Sequence, residues 1–217
     1  MPSIDLHAYL LFVTAAMALI LTPGPDTVFV LTQGVSSGKR EGVASALGVS
    51  TGILVHTTAA TLGLAALLRA SALAYAAIKY AGAAYLLYLG AKTFWKGGNP
   101  DGLSEVSAGD ASAPDLRGGY LRGVTVNVLN PKVALFFLAF LPQFVGAGGS
   151  SGTPAVEMFA LGGTYAVLTA VYLGIVGLLS GGVRTLFDAR PRLADGLRWV
   201  SGSVLVGLGA ALALESR

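Results

Sequence analysis

The stretch Leu-Thr-Pro-Gly-Pro-Asp at residues 21–26 breaks a long apolar segment, and Leu-Asn-Pro-Lys at residues 129–132 breaks another in the second half of the chain. Each break carries an ionisable residue, Asp26 in the first and Lys132 in the second. Because hydrocarbon cannot hydrogen-bond to exposed backbone, such a break is tolerated only where protein or a water-filled cavity supplies partners. Paired breaks at corresponding positions of two halves are typical of a transporter's binding site.

The composition is that of an integral membrane protein. Hydrophobic residues make up 54% of the 217 residues and charged residues only 12%, too few to cover a soluble globule. This length accommodates about six spans of roughly 20 residues with short loops and leaves no room for a soluble domain. The sequence therefore predicts an all-α integral membrane protein with residues 1–217 forming one membrane domain. The absence of cysteine excludes disulfides and thiol chemistry.

Long apolar runs bounded by charged or Gly/Pro clusters predict six transmembrane helices, of which the first and fourth are broken. The predicted spans are residues 6–34, 43–68, 72–94, 120–145, 155–181 and 197–214.

Residues 97–119 show no periodicity and are typical of a cytoplasmic linker. This linker divides the chain into repeat one, 1–96, and repeat two, 120–217. Both repeats carry a broken helix, then Ala-Leu-Gly, then Leu-Gly-Ala, in the same order. A repeat with three spans inserts its second copy upside down, so we expect two inverted three-helix repeats.

The distribution of Lys and Arg predicts the orientation. Ten of these residues lie in or beside the loops that join spans one to two, three to four and five to six, against two on the other side. Since basic residues mark cytoplasmic loops, both termini are predicted to be periplasmic.

Asp26 and Lys132 are the main candidates for function. A charge at the centre of a membrane helix costs about 3 kcal/mol. Such a residue is usually retained because it forms an ion pair or has a function. In one interpretation, Asp26 binds a substrate ammonium or a coupling proton, while Lys132 or a helix N-terminus binds a carboxylate. In the other, the two form an ion pair that holds spans one and four together. The interpretations are compatible.

The residues around the breaks have two interpretations as well. The prolines expose backbone carbonyls to a ligand, or they simply kink the helices. His56 relays protons, or it is a hydrogen-bonded strut between helices. The amides of Asn127 and Asn130 contact ligand, or they cap exposed backbone. The predicted site thus comprises Pro23, Gly24, Pro25, Asp26, Asn127, Asn130, Pro131 and Lys132 for substrate, with Asp26 and His56 for protons.

Other features are given structural interpretations. Lys79 and Glu157 lie near the outer ends of their spans and are expected to reach water. Residues 48–52 form a small-xxx-small face, for which packing within the monomer and a homodimer seam are both open. With no metal-ligand pair or nucleotide loop, we expect no metal, no cofactor and no nucleic-acid partner. The alternatives are an exporter of a divalent cation or other small solute on a related scaffold, and an intramembrane enzyme.

Several motifs together resemble the lysine exporter and homoserine/threonine exporter family, often called LysE/RhtB translocators, over nearly the whole chain. They are Thr-Pro-Gly-Pro-Asp at 22–26, Ala-Leu-Gly at 46–48 with Gly52, Tyr-Leu-Leu-Tyr-Leu-Gly at 85–90, Asn-Pro-Lys at 130–132, Phe136-Phe137 and Leu-Pro-Gln-Phe at 141–144.

The resemblance implies a multi-pass carrier in the lipid bilayer of the bacterial inner membrane that exports amino acids, with proton antiport as the driving reaction. Members of this family transport basic, small neutral and hydroxy amino acids. Asp26 is a single acid without a second acid at the predicted midplane, which favours a neutral amino acid such as homoserine or threonine over lysine or arginine.

Overall fold

The computed structural model describes residues 5–70, 72–95, 115–146, 153–182 and 191–214. Within these ranges the chain is helical and forms no strand, which confirms the all-α prediction. The helices, in chain order, are α1 Leu6–Leu21, α2 Pro25–Ser36, α3 Lys39–Ala70, α4 Ala72–Trp95, α5 Leu116–Val128, α6 Pro131–Leu135, α7 Pro154–Leu178 and α8 Pro191–Leu214. A π-helical turn, Phe136–Phe140, and a 3-10 turn, Leu141–Phe144, continue α6.

The first and fourth predicted spans are broken, as expected. The axes of α1 and α2 meet at 53°, and those of α5 and the α6 segment meet at 51°. In α3, Lys39–Gly63 is long and apolar enough to cross a membrane, as is the whole of α7. Counting each bent pair as one span raises this number to four among the described residues. The arrangement of six spans as two inverted repeats stays a prediction.

The C-terminal end of the predicted linker 97–119 is helical. Helix α5 already begins at Leu116 because the Asp115 carboxylate accepts a hydrogen bond from the backbone N–H of Gly118 at 2.8 Å. The buried Glu41 of α3 accepts a bond from the Asp115 N–H at 3.1 Å and pairs with Arg122 at 2.8 Å. Residues 97–114 of the predicted linker lie outside the described residues.

Helix α3 packs against both α5 and α7 through glycines that let the backbones approach closely. Gly48 lies against the backbone of Tyr120 and Gly52 against the side chain of Asn127, so a Cβ at either position would collide with α5. Gly162 of α7 lies against Thr57 of α3 in the same manner. The small-xxx-small face at residues 48–52 therefore serves packing within the monomer.

An aromatic cluster fills the core between α1, the α6 segment and α7. The rings of Phe136 and Phe137 lie 5.4 and 5.3 Å from that of Tyr165, and Phe12 of α1 lies 5.5 Å from Phe144. Phe12, Phe136 and Phe137 are fully buried. This cluster positions α7 beside both helix breaks.

The expectation that Lys79 and Glu157 reach water is wrong. Glu157 is 1% exposed and accepts a hydrogen bond from the backbone N–H of Gly146 at 2.8 Å. Lys79 is 6% exposed, with its Nζ 5.7 Å from the centre of the Tyr80 ring. The segment at Gly146 reaches Glu157, and the Lys79 ammonium contacts the ring of the next residue in its own helix.

We expect Gly48→Ala to destabilise the protein, because the added methyl group forces α3 away from α5 at a cost of about 1–3 kcal/mol. The measurement is the thermal unfolding midpoint in detergent. The matched control is Gly63→Ala in the same helix, where a Cβ meets open space. Equal midpoints for the two variants would show that the close approach of α3 and α5 does not matter.

Candidate functional site

The break between α1 and α2 leaves backbone carbonyls without their helical donors. Thr22 ends α1, Gly24 precedes α2 and Pro25 is its first residue. In a continuous helix, the N–H of residue 23 would bond to the carbonyl of Leu19. Since Pro23 has no N–H, the Leu19 carbonyl needs a donor from elsewhere.

Lys132 supplies that donor from the other half of the chain. Its Nζ donates to the carbonyl of Leu19 at 3.2 Å and to that of Thr22 at 3.0 Å. The ammonium group thus lies at the C-terminal end of α1, where the helix dipole favours a positive charge. A Cβ on Gly24 would stand 3.0 Å from this Nζ, so glycine at this position leaves room for the lysine.

The break between α5 and α6 is closed in a similar way. Pro131 deprives the carbonyl of Asn127 of its helical donor. The Nε2 of His56 lies 3.0 Å from this carbonyl, and the backbone N–H of Asn130 donates to it at 2.9 Å. Because a carbonyl only accepts, Nε2 of His56 carries the hydrogen. His56 is therefore an interhelical strut, and its proton-relay role stays a prediction.

The two asparagines have different structural roles. The Asn130 side chain caps α6 by accepting a hydrogen bond from the Lys132 N–H at 3.0 Å. The Asn127 side chain instead donates to Oδ2 of Asp26 at 2.9 Å, which joins α5 to α2. Asp26 is 9% exposed, and its second oxygen, Oδ1, has no hydrogen-bond partner.

Asp26 and Lys132 line a common cavity of about 20 Å³. This is space for roughly one water molecule and far less than an amino acid requires. The other lining residues come from α1, α2, α3, α6 and α7: Leu19, Ile20, Thr27, Ile53, Val133, Tyr165, Thr169, Tyr172 and Leu173. The cavity must therefore widen before it can hold an amino acid.

Of the predicted site residues, Asp26 and Lys132 reach the cavity. The others, which shape or close the two breaks behind it, are Pro23, Gly24, Pro25, His56, Asn127, Asn130 and Pro131. Sequence reasoning missed Tyr165, Thr169 and Tyr172 of α7. Their spacing of four and three residues places polar groups on one face of an apolar helix, and that pattern was the available signal.

Two broken helices that meet at a charged cavity inside an apolar protein are typical of a membrane translocator. Residues 17–216 match the family model described as LysE type translocator, and the chain belongs to this family. The resemblance deduced from the motifs is thereby confirmed. Members of this family are translocators, so the intramembrane-enzyme alternative is set aside.

Proteins similar along nearly their whole length include efflux proteins. A leucine efflux protein of Klebsiella pneumoniae is 34% identical, with 94% of each chain covered. An uncharacterized membrane protein of Pseudomonas aeruginosa is also 34% identical, with 98% of each chain covered. A leucine efflux protein of an Enterobacter species is 28% identical, with 93% of each chain covered. No solved structure matches the chain.

We expect Lys132→Met to lower both thermal stability and transport, since it leaves the Leu19 and Thr22 carbonyls without a donor at a cost of about 1–3 kcal/mol each. The measurements are the unfolding midpoint in detergent and efflux from proteoliposomes. Lys39→Met, at an exposed position at the start of α3, is the control. A Lys132→Met protein as stable and active as the control would contradict this role.

Proposed function

We propose that this chain is a secondary exporter of neutral amino acids across the bacterial inner membrane, driven by proton antiport. It works as two inverted three-span repeats with both termini in the periplasm. The substrate binds between the two helix breaks, at the cavity lined by Asp26 and Lys132.

The observation that supports this proposal is the pair of unused hydrogen-bonding positions on opposite charges at one cavity. Oδ1 of Asp26 has no partner. The Lys132 ammonium has three N–H groups, of which two bond to the Leu19 and Thr22 carbonyls. A free α-amino acid carries an ammonium and a carboxylate on one carbon, and these complement Asp26 and Lys132 respectively.

The charges around the cavity favour a substrate whose side chain is neutral. Asp26 is the only acid and Lys132 the only base among its lining residues within the described chain. The ammonium and the carboxylate of an amino acid neutralise these two charges. An additional cationic side chain, as in lysine, would have no counter-charge here and would pay for desolvation. Two relatives are named leucine efflux protein, which agrees with a neutral substrate.

Proton coupling is assigned to Asp26. An antiporter needs one group that holds either the substrate or the coupling ion, so that each leaves before the other binds. A carboxylate with one free oxygen can accept a substrate ammonium or a proton, but not both together. Asp26 is also tied to Asn127 of the other repeat, so its occupancy is linked to the relative position of the two repeats.

A divalent-cation exporter is less well supported. A hard cation takes six to eight oxygen ligands in the case of calcium, several of them carboxylates. The described ranges of the chain contain no group of three or more His, Asp, Glu or Cys residues that could hold such an ion.

We expect Asp26→Asn to abolish proton-driven efflux of neutral amino acids, while exchange of internal for external substrate persists with weaker substrate binding because the amide carries no charge. The amide keeps the shape of the side chain but cannot carry a proton. The measurement is efflux of labelled amino acids from proteoliposomes with and without a pH gradient. Asp115→Asn, which retains the cap of α5, is the control. Gradient-driven efflux at the control rate would exclude Asp26 as the coupling group.

Competition between amino acids tests the proposed substrate class. Unlabelled neutral amino acids are expected to inhibit efflux of a labelled neutral one, and lysine or arginine at the same concentration to have little effect. A protein that exports lysine in preference to threonine, homoserine and leucine would contradict the proposal.

A further inference from the structure

We infer that α5 is the gate between the cavity and the membrane face on which α3 begins, and that the ion pair of Glu41 with Arg122 is the latch that holds this gate shut. The inference rests on the proposed exporter and adds the element that opens the cavity on one side. In the proposed topology this face is cytoplasmic, so the gate admits the substrate.

The first step is the position of α5, which runs along α3 from that membrane face to the cavity. Gly123 of α5 lies against the backbone carbonyl of Ser45, and the Asn127 side chain lies against Gly52. At the same end of α5, Asn127 donates to the carboxylate of Asp26, which lines the cavity. Moving α5 away from α3 would therefore separate Asn127 from Asp26 and expose that carboxylate.

The second step is the latch, in which the start of α5 holds the side chain of Glu41. Its Oε1 accepts a hydrogen bond from Nη2 of Arg122 at 2.8 Å, and its Oε2 accepts one from the N–H of Asp115 at 3.1 Å. The Glu41 side chain is 2% exposed, but that of Arg122 is 53% exposed. Since Arg122 belongs to the basic residues predicted to face the cytoplasm, water hydrates both charges once they separate. The pair can therefore break and re-form, unlike an ion pair whose separated charges stay buried.

The third step is the difference between the two proposed repeats. In an inverted pair, the counterpart of the contact between α5 and α3 is the contact between α1 and α7. Helices α5 and α3 approach closely through glycines, whereas α1 contains no glycine and packs less extensively on α7. The hydroxyls of Tyr9 and Thr164 lie 3.3 Å apart at that second contact. If the repeats exchange their conformations, α5 loosens from α3 while α1 packs more tightly on α7.

The first test fixes the gate shut with a disulfide. The chain contains no cysteine, so an introduced pair has no competing partner. The Oγ of Ser45 lies 3.2 Å from the position that a Cβ on Gly119 would occupy, which suits a cross-link in the double variant Ser45→Cys/Gly119→Cys. We expect oxidation to abolish efflux of labelled neutral amino acids from proteoliposomes, and a reductant to restore it.

The controls for this cross-link are the two single-cysteine variants treated with the same oxidant, and the reference is the reduced double variant. A cross-linked protein that transports at the rate of its reduced form would overturn the inference.

The second test releases the latch without a cross-link. Arg122→Gln removes the ion pair, and Arg117→Gln, at an exposed position of the same helix, is the matched control. Both are made in the background of Val133→Cys, because the buried Val133 lines the cavity. A membrane-impermeant maleimide labels this cysteine in inside-out vesicles, which expose the cytoplasmic face, and in right-side-out vesicles. The readout is the ratio of the two labelling rates, which a general loosening of the protein leaves unchanged.

We expect Arg122→Gln to raise the ratio of cytoplasmic to periplasmic labelling about tenfold, the equivalent of one hydrogen bond to a charged group. Arg117→Gln should retain the ratio of the Val133→Cys protein. An unchanged or lowered ratio in Arg122→Gln, with amino-acid efflux by the wild type, would overturn the inference and leave the proposed function intact. A wild type that exports no amino acid would overturn the proposed function itself.

Discussion

The structure depends on how the carbonyls exposed by Pro23 and Pro131 are satisfied. Each proline removes the N–H that the carbonyl four residues earlier would accept, and no water replaces it at membrane depth. The Leu19 carbonyl bonds to Lys132 and the Asn127 carbonyl to His56. Both donors come from the opposite half of the chain. Assembly of the halves therefore supplies a donor to each break, and the Asn127 carbonyl accepts a second bond from the N–H of Asn130.

These contacts link binding to the position of the two halves. Lys132 of the second half is bonded to the end of α1, and Asp26 of the first half is bonded to Asn127 of α5. In the cavity, both charges keep one hydrogen-bonding position for a ligand. A zwitterion that binds both charges at these free positions would weaken the bonds that cross between the halves, because it shares the same two charged groups. In the proposed exporter, substrate binding is thereby linked to the contact between the two halves.

The features that were predicted correctly from the sequence are those determined by residues close together in the chain. Prolines and charges inside apolar runs located both breaks, and the bend angles of 53° and 51° agree with their expected equivalence. The start of α5 was missed because it depends on Asp115 and on the distant Glu41. The burial of Glu157 depends on its hydrogen bond from Gly146, a contact that leaves no motif. The polar face of α7 was visible in the residue spacing, but the sequence did not show that the aromatic core places this face at the cavity. Contacts that form only through tertiary packing cannot be predicted from a single sequence.

The most direct test of the account is a solid-state NMR distance measurement in bilayers, from ¹⁵Nζ of Lys132 to ¹³C-labelled leucine carbonyls and to a ¹³C-carboxyl amino acid. The lysine signal is assigned by its absence in Lys132→Arg. The account predicts a hydrogen-bonding distance to a leucine carbonyl without substrate, and to the substrate carboxylate when threonine is added. A Lys132 signal that couples to neither carbon would contradict it.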